Sequence, residues 1–287
     1  MNPKTGIIQG KHGPIATSLF LPKHHQHTPL VIFSHGFKGF KDWGHWPLLG
    51  QAFSEKGYAF LSFNFSQNGT TPQHPTEIVD LEAFGHNTYS KELDDLQTVV
   101  AHARSQLADV VDTEALFLLG HSRGGGISLL AAAADPNLKG VCTWAGVGTL
   151  LRFSRAELEE WQKAGVLHVP NSRTGQLLPL YLDLLEDYHR HIKHYQLAKV
   201  AQSLQMPYLQ IHGTEDTTVQ LDEARSLRIF NYRMQSLEIA GANHTLGGAH
   251  PWTEAQLPPH SQQALEATLA FYGQCRQVPG GAHSLQG

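Results

Sequence analysis

Residues Leu116 to Ala134 read L-F-L-L-G-H-S-R-G-G-G-I-S-L-L-A-A-A-A. The first four continue an apolar run from Ala115 that has the length of a strand, and the last seven are small, apolar and Ala-rich, with good helix propensity. Between them lies Gly120-His121-Ser122-Arg123-Gly124, a G-x-S-x-G pattern where a strand turns directly into a helix. Such a turn kinks at one residue, here Ser122, in a strained backbone conformation that raises the hydroxyl above the sheet edge. Gly120 and Gly124 remove Cβ atoms that would collide as strand and helix close, and Gly125 extends the relief. The helix then aims its free N–H groups and the positive end of its dipole at the site, favouring a developing anion.

Outward from this centre the chain alternates between strands and helices. Thr5–Leu21 predicts an N-terminal hairpin turning at Lys11-His12-Gly13-Pro14. Pro29–Ser34 is a short buried strand that runs into the loop His35-Gly36-Phe37-Lys38-Gly39-Phe40. A helix is expected over Asp42–Lys56 with Gly57 as its cap, then a strand over Tyr58–Phe65, a long polar loop over 70–87 and a helix over Ser90–Leu107. After the central helix, Leu138–Gly146 reads as a strand. Ser154-Arg155-Ala156-Glu157 is a capping box opening a helix to about Ala164. Val166–Pro170 and Gln176–Leu180 predict a hairpin, and Tyr181–His194 a helix. Met206–Ile211 restores the alternation as a strand, followed by a helix over 221–230, a strand over Ser236–Ile239 and a closing helix over Pro259–Tyr272.

Bulk properties narrow the function. A chain of 287 residues with 41% hydrophobic content supports one large α/β domain or two small ones. The net charge of −4, without a long basic run, argues against nucleic acid. No apolar run approaches membrane-spanning length, and M-N-P-K-T-G does not open a signal peptide, so a cytoplasmic, membrane-free protein is expected. Cys142 and Cys275 make no disulfide framework. Nineteen histidines are unusual: protonating all of them would carry the formal charge from −4 to +15. His24, His25 and His27 read as a solvated turn. His189, His191 and His194 read as a solvated helix face rather than a metal site.

Alternating elements imply a mostly parallel sheet with ligands beyond the carboxyl ends of its strands. Ser122, Asp216 and His244 each follow a predicted strand directly, in the order Ser, Asp, His. Glu215 and Asp222 are alternative acids, and His250 is an alternative base.

Four motifs carry a resemblance over nearly the whole chain: H-G-F-K-G at 35–39, G-H-S-R-G at 120–124, H-G-T-E-D at 212–216 and N-H at 243–244. The chain resembles α/β-hydrolases of the serine-esterase and serine-aminopeptidase-like type, close to cap-bearing cinnamoyl or feruloyl esterases and dienelactone-hydrolase-like proteins. Dienelactone hydrolases proper use cysteine as nucleophile, whereas this elbow carries Ser122. The resemblance implies an α/β-hydrolase core over 1–147 and 204–276, the break in strand–helix alternation over 148–203 reads as a cap insertion, and the Gly- and Pro-containing end over 277–287 reads as a flexible tail. It also implies a catalytic triad of Ser122, Asp216 and His244, with the backbone N–H groups of Phe37 and Arg123 as the oxyanion hole.

The expected activity is hydrolysis of carboxylic esters with short or aromatic acyl groups, without metal or cofactor. The partner is a small-molecule ester, and the oligomeric state is open, a homodimer included. A peptidase, amidase or acyltransferase would use the same triad, and a binding protein could retain the fold. Trp43, Trp46, Trp144, Leu177, Tyr181 and Tyr188 are candidates to line the pocket. The insertion is rich in charge, which speaks against a lid built for lipid surfaces.

Overall fold

Strand Thr28–Ser34 and the last seven residues of strand Val111–His121 are buried residue after residue. A strand sustains that only with apolar cover on both faces. Alternation along these strands sorts the side chains: Leu30, Ile32, Leu116 and Leu118 enter one buried cluster, while Val31, Phe33, Phe117 and Leu119 enter another on the opposite face. The result is a three-layer α/β/α arrangement.

The computed structural model describes residues 2–277. Its elements begin with the hairpin β1 (Lys4–Gln9) and β2 (Pro14–Phe20), then β3 (Thr28–Ser34), α1 (Trp46–Glu55), β4 (Ala59–Phe63), α2 (Leu81–Gly85) and α3 (Tyr89–Gln106). The central strand β5 (Val111–His121) leads into α4 (Arg123–Ala134) and β6 (Gly140–Trp144). There follow α5 (Arg155–Ala164), β7 (Val166–Pro170), β8 (Leu177–Tyr181), α6 (Leu182–Arg190) and α7 (Leu197–Ser203). The chain closes with β9 (Tyr208–Gly213), α8 (Leu221–Phe230), β10 (Gln235–Ile239) and α9 (Pro259–Gln277). Of the tail expected over 277–287, Gln277 ends α9, and the remainder lies outside the described residues.

Eight strands form one sheet in the order β1-β2-β4-β3-β5-β6-β9-β10, antiparallel at β1/β2 and β2/β4 and parallel elsewhere. The strand order reverses between β3 and β5, which opens a crevice beyond their carboxyl ends. Ser34 pairs with Gly120 and Trp144 with His121, so the ends of these strands lie level. The loops after β3, β5, β9 and β10 therefore leave the sheet along one edge.

Several boundaries differ from the sequence reading. Helix α1 starts at Trp46 rather than Asp42, because the Gly44 N–H is taken by His250 Nδ1 at 2.9 Å and His45 is drawn inward to the Ser261 hydroxyl at 2.8 Å. The expected loop over 70–87 contains α2, capped by the Asp80 carboxylate accepting the Ala83 N–H. The single helix expected over Tyr181–His194 ends at Arg190, and α7 follows separately. The capping box on α5 forms both of its hydrogen bonds. β7 and β8 pair antiparallel as a separate ribbon. The elements between 148 and 203 do not stand apart, since Trp161, Leu178, Leu180, Leu184 and Leu185 belong to the same buried cluster as β3 and β5.

The β5–α4 closure leaves no room for a side chain. A Cβ on Gly120 would lie 2.3 Å from the Gly124 carbonyl oxygen, and one on Gly124 would lie 2.3 Å from that of Ser34. Neither contact can be relieved by rotating a side chain, because both partners are backbone. Gly124→Ala is expected to lower the free energy of urea unfolding by about 3 kcal/mol. A loss below about 1 kcal/mol would contradict this packing.

Candidate active site

Ser122 sits between β5 and α4 with φ 56° and ψ −121°, a left-handed conformation that non-glycine residues adopt at a cost. Its backbone is held on three sides: its N–H donates to Trp144 O at 3.0 Å, and its carbonyl accepts from Gly125 and Val147 at 2.9 and 3.2 Å. The hydroxyl is thereby aimed at the loop after β10. His244 Nε2 lies 3.0 Å from Ser122 Oγ, and His244 Nδ1 lies 2.8 Å from Asp216 Oδ2. The ionised acid can only accept, so Nδ1 carries the proton and Nε2 faces the serine as an acceptor.

Asp216 is fully occupied. Its Oδ1 accepts the N–H groups of Thr218 and Val219, each at 2.8 Å. His212 Nε2 donates to Val219 O at 2.8 Å and lies 3.2 Å from Asp216 Oδ2. Burial alone would raise this carboxyl. The hydrogen bonds from His212 and His244, the charge of His244 and the Val219 amide outweigh it and hold the group well below the usual range. The alternative acids and base point elsewhere. Glu215 is exposed, Asp222 pairs with Arg225 at 3.4 Å, and His250 accepts the Gly44 N–H.

Above the serine passes the loop after β3. A Cβ on Gly36 would come within 2.9 Å of Ser122 Cβ, and the next residue, Phe37, lines the same cleft as Ser122. Among the described residues neither the Phe37 nor the Arg123 N–H donates to a protein acceptor. The Arg123 guanidinium stacks 3.9 Å over the Phe37 ring, coupling the residues that bear these N–H groups. Its charge faces the buried Glu92 carboxylate at 3.4 Å, which also accepts from Asn87 at 2.8 Å. A cleft of about 570 Å³ opens over Ser122 and His244, bounded by the loop after β3, by Val147–Phe153 and by the β7–β8 turn.

A family model described as the alpha/beta hydrolase fold matches residues 29–194, more than half of the chain. The chain belongs to the α/β-hydrolase fold family. Among curated relatives, the quorum-quenching protein AidA of Acinetobacter baumannii is 28% identical over 123 residues, 43% of this chain and 37% of that protein. An uncharacterised 31.7 kDa protein of Escherichia coli is 26% identical over 157 residues, 55% of this chain and 51% of its own. The matches thus span about a third to a half of these relatives. Among solved structures, Est1E from Butyrivibrio proteoclasticus with bound ferulic acid superposes with a TM-score of 0.71 at 20% identity, covering 95% of this chain and 100% of that one. A putative dienelactone hydrolase from Klebsiella pneumoniae gives 0.64 at 16%, covering 94% and 98%. At these identities the structural likeness speaks to the fold.

Within this α/β-hydrolase fold, the pocket expectations divide. Trp43 and Trp46 line the cleft. Trp144 does not: it is fully buried in the core, its indole N–H donating to Thr268 at 3.0 Å. Leu177 is 62% exposed at the end of the ribbon, away from the cleft. Tyr181 turns toward α2, where its hydroxyl donates to Glu82 at 3.0 Å, and Tyr188 packs edge-on against Tyr89. The reason is register: β8 lays its inward side chains onto the core, so the turn before it reaches the cleft instead, through Asn171, Ser172 and Arg173.

Three histidines inside the quoted motifs support the site, a role that the motifs alone do not assign them. His121 Nε2 donates to the His244 carbonyl at 2.9 Å and ties the elbow to the loop bearing that histidine. His35 Nδ1 donates to Gly36 O at 2.8 Å and shapes the loop that carries Phe37. His212 braces Asp216. Among the described residues no group of three or more His, Cys, Asp and Glu side chains is arranged to hold a metal, and no helix is long and apolar enough to cross a membrane.

These buried histidines set a pH dependence. Burial pushes His35 and His45 down to about 4 and His121 down to about 3, with the charge of His244 adding to the last. Each stays neutral in the folded protein at pH 5, while an unfolded histidine, at about 6.5, binds a proton. Stability from these groups is therefore complete above about pH 6.5 and lost as pH falls toward 4. Burial pushes Asp95 up to about 6 and also raises Glu92, which opposes part of the effect. Asp216 acts lower still: its contribution is present above about pH 3.9 and lost only on further acidification. Near pH 5 three histidines take up protons on unfolding, while at most two are released, by Asp95 and Glu92, so the balance is a net uptake. Urea unfolding at pH 5 and 6.5 is expected to give the larger free energy at pH 6.5. The opposite order would contradict neutral His35, His45 and His121.

Proposed function

We propose that the protein is a serine hydrolase of carboxylic esters acting through an acyl-enzyme. The observation that carries this reading is the unbroken chain from Asp216 through His244 to Ser122, at 2.8 and 3.0 Å. A serine hydroxyl is a weak nucleophile until a base accepts its proton. His244 Nε2 takes that proton as Ser122 Oγ bonds to the ester carbonyl carbon, and Asp216 stabilises the imidazolium that results. The carbonyl oxygen becomes an oxyanion, for which the free N–H groups of Phe37 and Arg123 are the proposed donors, supported by the first turn of α4. His244 then protonates the departing alcohol as the carbon–oxygen bond breaks. A water molecule repeats the sequence on the acyl-enzyme, releasing the acid and restoring Ser122.

Residues 148–203 act in this proposal as a cap that selects substrates. Leu150, Arg152, Phe153 and the 171–173 turn supply one side of the cleft. Soluble esters with short or aromatic acyl groups suit a cleft of this size and mixed lining. The expected lineage of substrates is consistent with the ferulic acid bound to Est1E.

Ser122→Ala is expected to abolish labelling by a fluorophosphonate and to lower p-nitrophenyl ester turnover about 10⁴-fold or more, with an unchanged melting curve. Asp216→Asn is expected to cost about 10⁴-fold by presenting the wrong imidazole tautomer. Turnover unchanged in Ser122→Ala would reject the mechanism, and faster cleavage of aminoacyl amides than of esters would reassign the substrate. Phe153→Ala is expected to reorder a panel of acyl esters, shifting relative kcat/KM by about 1–3 kcal/mol per mismatched methylene while Ser122 labelling persists. An equal loss on every ester would remove residues 148–203 from substrate selection.

A further inference from the structure

The cleft is lined by Lys38, Arg123, Arg152 and Arg173 and by no aspartate or glutamate. This local excess of positive charge stands against a chain whose formal charge is −4. Two of the four are neutralised from behind: Arg123 by the buried Glu92 and Arg152 by Glu223. Lys38 and Arg173 are not. Among the described residues neither has a carboxylate within 4.0 Å.

The two cations are brought together rather than left to drift. Lys38 follows Phe37 in the loop after β3, and Arg173 lies in the β7–β8 turn. Lys38 Nζ donates to Pro170 O at 3.0 Å, and Arg173 Nη2 donates to Lys38 O at 3.0 Å. The guanidinium rests 5.2 Å from the Phe40 ring centroid, which orients it. Each bond uses one donor, leaving further N–H groups on both heads. Partial burial and mutual repulsion disfavour the charge on Lys38, and burial does so on Arg173. An anion within reach of both heads would relieve this repulsion and desolvation.

We propose that Lys38 and Arg173 form an anion subsite, and that the ester this cleft takes carries a carboxylate or phosphate group besides the scissile bond. The proposal rests on the hydrolase reading above and names its substrate class. Phe37 and Lys38 are adjacent, so one loop would present an N–H to the reacting carbonyl and an ammonium to the remote anion of the same molecule. A ridge of neutral walls would leave both charges unmatched.

The test compares methyl hydrogen adipate, its analogue with phosphonate in place of the free carboxylate, and neutral methyl hexanoate. Relative kcat/KM is measured for wild type, Lys38→Gln and Arg173→Gln at low and high salt. Wild type is expected to favour one of the anionic esters over the neutral one by about 10- to 100-fold at low salt, and which of them leads identifies the anion. The preference should shrink about tenfold in each variant, chiefly through KM, and should also shrink with salt. Because the ratio is read within one preparation, partial misfolding of a variant cancels. A neutral ester turned over as well as either anionic one by wild type, or a ratio unmoved in both variants, overturns the proposal. Calorimetric binding to Ser122→Ala separates this outcome from failure of the hydrolase reading. Selective binding of an anionic ester that wild type never cleaves keeps the subsite and rejects the hydrolase. Cleavage of neutral esters without anion preference does the reverse.

Discussion

Everything at this site depends on how closely β5 and α4 approach one another. At Gly120 the strand meets the α4 backbone, and at Gly124 the helix meets the backbone at the end of β3, with no room for a Cβ at either. That closure forces the kink onto Ser122, whose positive φ is the local cost of leaving strand and entering helix within one residue. The cost is met by the hydrogen bonds that Ser122 makes to Trp144, Gly125 and Val147. In return the hydroxyl is fixed in direction, with His244 as its one side-chain hydrogen-bond partner among the described residues. The sheet supplies the remaining positions by levelling the ends of its strands, so loops far apart in sequence leave from one edge.

Behind these loops lies a layer of buried polar groups. His121, His35 and His212 each use a ring nitrogen to fix a backbone carbonyl, and each fixes a different loop. Burial keeps His121 and His35 neutral, so each serves as a single, directed donor rather than a charge. Arg123 differs in staying charged, matched by Glu92 and laid flat on Phe37. A buried pair of this kind contributes little net stability but specifies one arrangement of the side chains around it.

The alternation of strands and helices was legible in the sequence because strands covered on both faces read as unbroken apolar runs and helices carry their period. The three residues that converge were legible because each directly follows such a run. Legibility failed where side-chain direction depends on tertiary register. Trp144 is the last residue of β6, level with His121 at the end of β5, and its side chain points into the core, a direction that nothing in the local sequence marks. Leu177 and Tyr181 were expected in the pocket from their place in the insertion, but the ribbon presents its turn rather than its strands. Arg173 is one charged residue among many there, and only its packing against Lys38 and Phe40 sets it apart. The short α2 was missed because five residues give no period to detect, although Asp80 three residues ahead of Ala83 is a capping signal.

The segment between β6 and β9 is sewn into the body of the molecule. Asp187 accepts from the Ser90 N–H at 3.1 Å, the Tyr89 hydroxyl donates to Leu150 O at 2.7 Å, and His86 meets Asp183 at 2.8 Å. Swinging it outward as a rigid flap would break these links and uncover Leu178, Leu180, Leu184 and Leu185, at roughly 1.5–3 kcal/mol for each side chain exposed. That sum is comparable to the whole stability of an ordinary domain. The cleft is therefore a standing doorway, and entry to it need not wait for a large-scale opening of this segment.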